Sequence, residues 1–174
     1  MQNNEEPELI ARSIDGDSEA YAELVDRYKN AVYYHCFAVV RDEDAAADLA
    51  QETFISAFYN INRYDDTYRL STWLFKISTN KCLNYIKKKR KEVTADDSVI
   101  AAIVSNEPSS HTKALHAELH EAVQKLSPKY RAVISLHYWQ GLDYAATAAV
   151  MDAPINSVRV WLKRAKDALR KELA

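Results

Sequence analysis

One row of side chains in the middle of the chain has the chemistry of nucleic-acid contact. Lys76, Asn80, Asn84 and Lys87 recur at intervals of three or four residues, which places them on one face of a helix. Amides can pair with base edges and ammonium groups with phosphates. No acid interrupts residues 73–91, and the stretch closes on Lys87, Lys88, Lys89, Arg90 and Lys91. A solvated face would mix Glu with Lys, so the acid-free run favours a polyanionic partner. A different chemistry precedes it. Asp48, Gln51, Glu52 and Ile55 share one side of a helix whose other side carries Ala46, Leu49, Ala50, Phe54, Ala57, Phe58 and Ile61. An aliphatic Ile55 among carboxylates has no solvation reason to face outward, which suits a protein-docking surface. The alternative is a plain solvated acidic face.

Between the two lies a polar loop, residues 60–69, with Asn62, Arg63, Tyr64, Asp65, Asp66 and Tyr68. Tyrosines and asparagines there can stack on and hydrogen-bond to an unstacked base, or pack down on the domain. Near the C-terminus a helix-turn-helix pattern appears. Ser127-Pro128 starts a helix that Gly141 ends, and Asp143 caps a short alanine-rich helix over Tyr144 to Met151. Asp152-Ala153-Pro154 turns the chain, and Asn156 or Ser157 is expected to cap a last helix through Val158, Leu162, Ala165 and Leu169. Its outward positions, Asn156, Ser157, Arg159, Val160 and Lys163, suit a major groove, with Arg164, Lys166 and Arg170 nearer phosphates. A plain helical hairpin is the alternative. Trp161 is expected to pack inside the domain.

Other chemistries lack their residues. There is no Gly-rich phosphate loop, nucleophile elbow or metal cluster. His116 and His120 stand at i, i+4 but find no third ligand in register. Cys36 and Cys82 are isolated in apolar surroundings and read as buried free thiols. No enzyme activity, cofactor or metal is expected.

The elements that position these residues are helices. The 174 residues include only Gly 2 and Pro 4, too few for the turns of sheets, so the fold class expected is all-α. Helices are expected from Pro7 to Ile14, from Asp17 or Ser18 through Val40, from Asp42 to about Asn60, from Ser71 to Lys91, and from Thr112 to Leu126. Two small domains, 18–91 and 113–174, are expected, with an acidic segment 1–17 before them and a linker 92–112 between. No apolar run approaches the roughly 20 residues of a membrane span, and no signal-peptide pattern opens the chain. A cytoplasmic protein is expected. The net charge of −2 hides a strong asymmetry. Eight acids and one base occupy residues 1–26, whereas residues 81–91 hold six bases and no acid. That contrast suggests that the N-terminal acids screen the Lys87 to Lys91 cluster.

The run Asp44-Ala45-Ala46-Ala47-Asp48-Leu49-Ala50-Gln51-Glu52-Thr53-Phe54, followed by Ser71-Thr72-Trp73-Leu74-Phe75-Lys76-Ile77-Ser78-Thr79-Asn80, resembles the second conserved region of extracytoplasmic-function (ECF) sigma factors. Leu126-Ser127-Pro128-Lys129-Tyr130-Arg131, Gly141-Leu142-Asp143-Tyr144 and the stretch Ser157 to Lys166 resemble their fourth region. The resemblance covers roughly 18–91 and 113–173. It implies a transcription initiation factor that binds core RNA polymerase and directs it to promoters. By the same resemblance, Asp48, Gln51, Glu52, Phe54 and Ile55 would contact the polymerase. Asn62, Arg63, Tyr64, Tyr68 and Ser71 would capture a flipped base of a single-stranded −10 element. Lys76, Asn80, Asn84, Lys87, Lys88 and Arg90 would hold the melted strand. Arg131, Tyr144, Asn156, Ser157, Arg159, Val160, Lys163, Arg164 and Lys166 would read a duplex −35 element. Linker acids Asp96, Asp97 and Glu107 would mimic nucleic acid in the polymerase channel, and an anti-sigma factor would mask these surfaces. A stand-alone helix-turn-helix regulator, and a sigma-like protein that binds polymerase without reading DNA well, are the competing readings.

Overall fold

The computed structural model describes residues 5–95 and 112–174. The linker acids therefore lie outside the described residues. All regular structure among the described residues is helical. The order is α1 (Glu5–Ile14), α2 (Ser18–Val40), α3 (Glu43–Asn60), a 3-10 turn (Ile61–Arg63), α4 (Leu70–Ala95), α5 (Thr112–Gln124), α6 (Pro128–Ile134), a π-helical segment (Ser135–Trp139), α7 (Tyr144–Met151) and α8 (Ile155–Leu173).

Helix starts obey local chemistry. The Asp17 carboxylate accepts from the amides of Glu19 and Ala20, and Asp42 accepts from Ala45. Asp143 accepts from the amide of Ala146. Each cap satisfies amide groups that the first turn leaves unpaired. The last helix differs from expectation. Pro154, with extended ψ, stands at its N-cap and accepts from Val158 through its carbonyl. Asn156 and Ser157 therefore lie inside the first turn and cap nothing.

Three long helices make the first bundle. Val32, Cys36 and Val39 of α2, Ala46, Leu49, Ala50 and Ala57 of α3, and Leu74, Phe75 and Cys82 of α4 form its core. Residues 5–14, expected as part of a separate acidic segment, fold onto α2 as α1, with Leu9 buried. Two of their acids are paired locally: Arg27 donates to Glu5 and Tyr28 donates to Glu6. α1 packs against α2 and the 3-10 turn. That turn lies near the start of α4, some 17 residues or roughly 26 Å of helix from Lys87. Screening of the Lys87 to Lys91 cluster by the α1 acids is thereby corrected. Cys36 and Cys82 are buried free thiols. Hydrogen bonding with Cys36 and burial together push the Cys82 thiol well up.

The second bundle packs α5, α6, α7 and α8 around Val123, Leu126, Val133, Ile134, Ala148, Val158, Leu162 and Ala165. The two bundles also share apolar contacts. Ala132, Leu136, Leu142 and Val150 belong to the first bundle's core, as α6 meets α2 and α7 meets α4.

Polar contacts fasten the same seam. His35 is fully buried on α2. Its Nδ1 lies 2.8 Å from Ser135 Oγ and its Nε2 lies 2.7 Å from Thr79 Oγ1. A neutral ring satisfies both hydroxyls, donating to one and accepting from the other. Burial holds its pKa down at about 3. Arg131 donates from Nε and Nη2 to the Val39 carbonyl, at 3.0 and 2.7 Å, near the negative end of α2. Its Nη1 donates to Leu126 O at 2.6 Å. Arg41, in the left-handed region with φ 63°, closes α2 and donates to Gln124 O and Oε1.

Candidate polymerase and nucleic-acid interfaces

The α3 face is solvated where a docking surface requires it. Asp48, Gln51, Glu52 and Ile55 are exposed, with half of Ile55 in water. Phe54 departs from the expected set. It is half-buried against the first core, and its carbonyl accepts from the Tyr21 hydroxyl. It lies one residue, about 100° of helix rotation, from Ile55. Phe58 and Tyr59 take the outward place instead, at 43% and 76% exposure. The sequence pattern puts Phe58 on the buried side, and the structure corrects it. Tyr59 lies four residues beyond Ile55, so the i, i+4 extension of that row is the signal that reveals it.

The 62–71 loop is pre-formed. Tyr64 donates to the carbonyl of Tyr68 at 2.7 Å, and its ring tilts against Trp73 at 5.6 Å between centroids. Asp65 accepts from the Thr67 amide at 3.0 Å. Hydrogen bonds from Thr67 hold the Asp65 carboxyl below its usual range. Tyr64 thus packs down, while Tyr68, Asn62 and Arg63 point to solvent and Ser71 is half-buried. From here α4 carries Lys76, Asn80, Asn84, Lys87, Lys88 and Arg90, all at least partly open to solvent. Its inner side holds Leu74, Phe75, Ser78, Thr79 and Cys82.

In the second bundle, Val158, Leu162 and Ala165 bury one face of α8. Asn156, Arg159, Val160, Lys163, Arg164 and Lys166 face solvent, and Ser157 is half-buried. Trp161 packs half-buried on the second core, with Lys129 Nζ 4.6 Å above its ring. Tyr144, at the start of α7, is exposed beneath the Arg159 guanidinium. Arg131 is the expected contact that the structure uses otherwise. It is 7% exposed, and Nε, Nη1 and Nη2 all donate to backbone carbonyls. Burial, with Arg41 and Arg90 nearby, brings its pKa down to about 10, so it stays charged. In this arrangement it offers nothing to DNA.

The π segment escapes the sequence pattern, which reads as one helix to Gly141. The Gln140 amide bonds to Ser135 O at 2.9 Å, one residue wider than an α-turn. That extra residue turns Tyr138 and Trp139 outward, each about half exposed.

Two family models match the chain: Sigma-70 region 2 over residues 24–92, and Sigma-70, region 4 over residues 116–169. The ECF RNA polymerase sigma factor SigW of Bacillus subtilis (strain 168) is 33% identical over 170 residues, 91% of each chain. The chain belongs to the ECF sigma factors. SigM of the same organism is 30% identical over 150 residues, covering 85% of this chain and 91% of SigM. Among solved structures, the sigma factor RpoE in complex with the anti-sigma factor NepR from Bartonella quintana shares the fold. Its TM-score is 0.78 at 24% identity, over 88% of this chain and 96% of that one. CnrH, solved with the cytosolic domain of CnrY, gives a TM-score of 0.69 at 23% identity, over 95% and 94%.

This ECF sigma factor is a promoter-specific transcription initiation factor, which binds core RNA polymerase and promoter DNA. Its family works by binding, not by catalysis. Among the described residues no group of three or more His, Cys, Asp or Glu side chains could hold a metal ion. No described helix is long and apolar enough to cross a membrane.

Proposed function

We propose that this sigma factor docks on core polymerase through the α3 row, Asp48, Gln51, Glu52 and Ile55, extended by Tyr59. The 62–71 loop captures a flipped −10 base, with Tyr68, Asn62 and Arg63 as its outward groups. Lys76, Asn80, Asn84, Lys87, Lys88 and Arg90 track the melted strand, and α8 with Tyr144 reads the −35 duplex. The observation that carries this is the segregation of outward chemistry. Acids with apolar groups occupy α3, an acid-free row occupies α4, and a basic face occupies α8. Its site of action is the cytoplasm, where polymerase and promoters meet.

The shared core has a mechanical consequence. Elements at −35 and −10 lie about 25 base pairs apart, roughly 85 Å of B-form duplex. α4 packs on α7 and α7 packs on α8, so the α8 axis sits at most roughly 20 Å from that of α4, two helix-packing distances. The bundles must part before both elements can be held. Polymerase binding supplies the separation, and the parting frees Arg131 from Val39 for a phosphate. The buried Arg131 rests on carbonyls, which offset its desolvation only in part.

A groove of about 600 Å³ lies between α4 and α6. Leu83, Ile86 and Pro128 make its apolar lining, and Lys87, Arg90, Lys91 and Lys129 its basic rim. That chemistry suits an acidic amphipathic helix of an anti-sigma factor, which would bridge both bundles here.

Run-off transcription with core polymerase on a promoter library tests the function. A discrete promoter set is expected with the full chain and none with core alone. Polymerase capture without promoter-specific transcripts would favour a sigma-like protein that no longer reads DNA. No capture, with tight binding to a palindromic operator, would favour a stand-alone regulator.

The α4 row makes a separate quantitative prediction. Replacing Lys76, Lys87 and Lys88 by Ala should lower the slope of log affinity against log salt by about 2 for single-stranded −10 DNA bound to holoenzyme. An unchanged slope would remove α4 from the strand path.

A further inference from the structure

A continuous ring stack ties the recognition helix to the elements before it. The Arg159 guanidinium lies 5.4 Å over the Tyr144 ring. Tyr144 stacks on His137, 4.9 Å between centroids and 11° from parallel. His137 meets Tyr138 edge-on at 4.9 Å and 77°. Lys166 Nζ lies 5.9 Å over Tyr138. The stack begins and ends on α8, because Arg159 and Lys166 stand seven residues apart on one face, about 10.5 Å along the axis. Its rings come from the π segment and from the first residue of α7.

His137 is the keystone. Its Nδ1 lies 2.7 Å from the carbonyl of Leu142. A carbonyl can only accept, so Nδ1 carries the proton and donates. That bond fixes the imidazole to the turn leading into α7. The turn itself needs Gly141, whose φ is +72°. One side chain thus links the π segment by covalent attachment, the turn by a hydrogen bond and α7 by stacking. Arginine and lysine have the most rotamer freedom to lose on binding. Cation–π contacts that order them beforehand reduce that loss. The π segment has a reason in the same terms, since its extra residue brings Tyr138 out to the level of Lys166.

We propose that His137 is a positioning residue for −35 recognition: held between Tyr144 and Tyr138, it sets Arg159 and Lys166 of α8 in place for duplex DNA. The proposal rests on α8 as the −35 reader. It goes beyond that reading by assigning a role to a half-buried residue outside α8.

The test is a double-mutant cycle in holoenzyme reconstituted from the full chain and core polymerase. Affinity is measured for promoter DNA with an intact and with a scrambled −35 element, and their ratio is the discrimination. His137→Ala is expected to lower discrimination about three- to tenfold. His137→Phe keeps a ring for the stack without the Nδ1 donor, and should restore most of it. Arg159→Ala combined with His137→Ala should be no worse than Arg159→Ala alone by more than about twofold. Trp139→Ala, an exposed aromatic outside the stack, should leave discrimination unchanged. Losses that simply multiply in the double variant would overturn the proposal, as would equal losses on intact and scrambled DNA or an equal effect of Trp139→Ala. If Arg159→Ala itself leaves discrimination intact, the proposal fails too, and the fault then lies with α8 as the −35 reader.

Discussion

Asp48→Arg combined with Glu52→Arg is expected to weaken capture of core RNA polymerase by at least about a hundredfold, since like-charge juxtaposition at an interface costs several kcal/mol. Both carboxylates are exposed in the middle of α3, and neither forms an ion pair among the described residues. Arginine is a good helix former, so the fold should survive the change. Far-ultraviolet circular dichroism and the unfolding midpoint check that point. Ile55→Glu should act through the other half of the surface. It puts a charge where half of an aliphatic side chain now stands in water. Tyr59→Ala removes the most exposed large apolar group of the row and should weaken capture by a smaller factor. Capture measured by surface immobilisation of core enzyme decides the matter. Undiminished binding of the double reversal would remove α3 from the polymerase interface.

That surface is legible in the sequence because its oddity is local. An aliphatic residue among acids at helical spacing is visible within a few turns of helix. The fold class and most helix starts are legible for the same reason, since Asp17, Asp42, Ser127 and Asp143 each cap the helix immediately after them. Arg131 is not. The family resemblance points it at the −35 duplex, and only tertiary packing brings the carbonyl of Val39, 92 residues away, to its guanidinium. The division between Phe54 and Phe58 turns on a small rotation of α3 about its axis. Both lie near the boundary of the apolar stripe, where periodicity discriminates least. The π segment adds one residue to a turn without changing the apolar pattern around it. Asn156 and Ser157 are both good cap residues, yet Pro154 takes the position because its fixed φ and extended ψ start the helix earlier.

On the proposed opening of the seam, one set of residues serves two states. The outward rows on α3, α4 and α8 remain exposed while the bundles are joined, so the closed protein can still meet polymerase and nonspecific DNA. On the proposed function, closure withholds separation of the two reading elements, and with it Arg131. Two weak contacts gain from effective concentration only when their spacing matches the DNA. If the bundles part on polymerase as proposed, promoter specificity is a property of the opened, polymerase-bound form.

Acid should loosen the seam through His35. The ring has an ordinary pKa of 6.5 and a folded value of about 3, lowered by burial. The folded protein keeps it neutral, whereas the unfolded or parted form takes a proton below 6.5. Stability from this group is thus fully present above pH 6.5 and falls as pH drops from 6.5 towards 3. The slope is about 1.4 kcal/mol per pH unit. By pH 4.5 the loss from His35 alone is on the order of 3 kcal/mol, a large part of a small protein's stability. Burial also lowers the half-buried His120 on α5, whose contribution has the same sign. His35→Phe separates the two. It should cost roughly 2–4 kcal/mol at pH 7, because the hydroxyls of Ser135 and Thr79 lose their partner. Its stability should then fall less steeply than wild type between pH 6.5 and 4.5. Urea unfolding at a series of pH values reads both slopes. Parallel profiles would mean that His35 already meets water in the free protein, so that the bundles stand apart before polymerase arrives. A steeper wild-type profile, with a rise in hydrodynamic radius before helicity is lost, would show that the seam is the first thing to give.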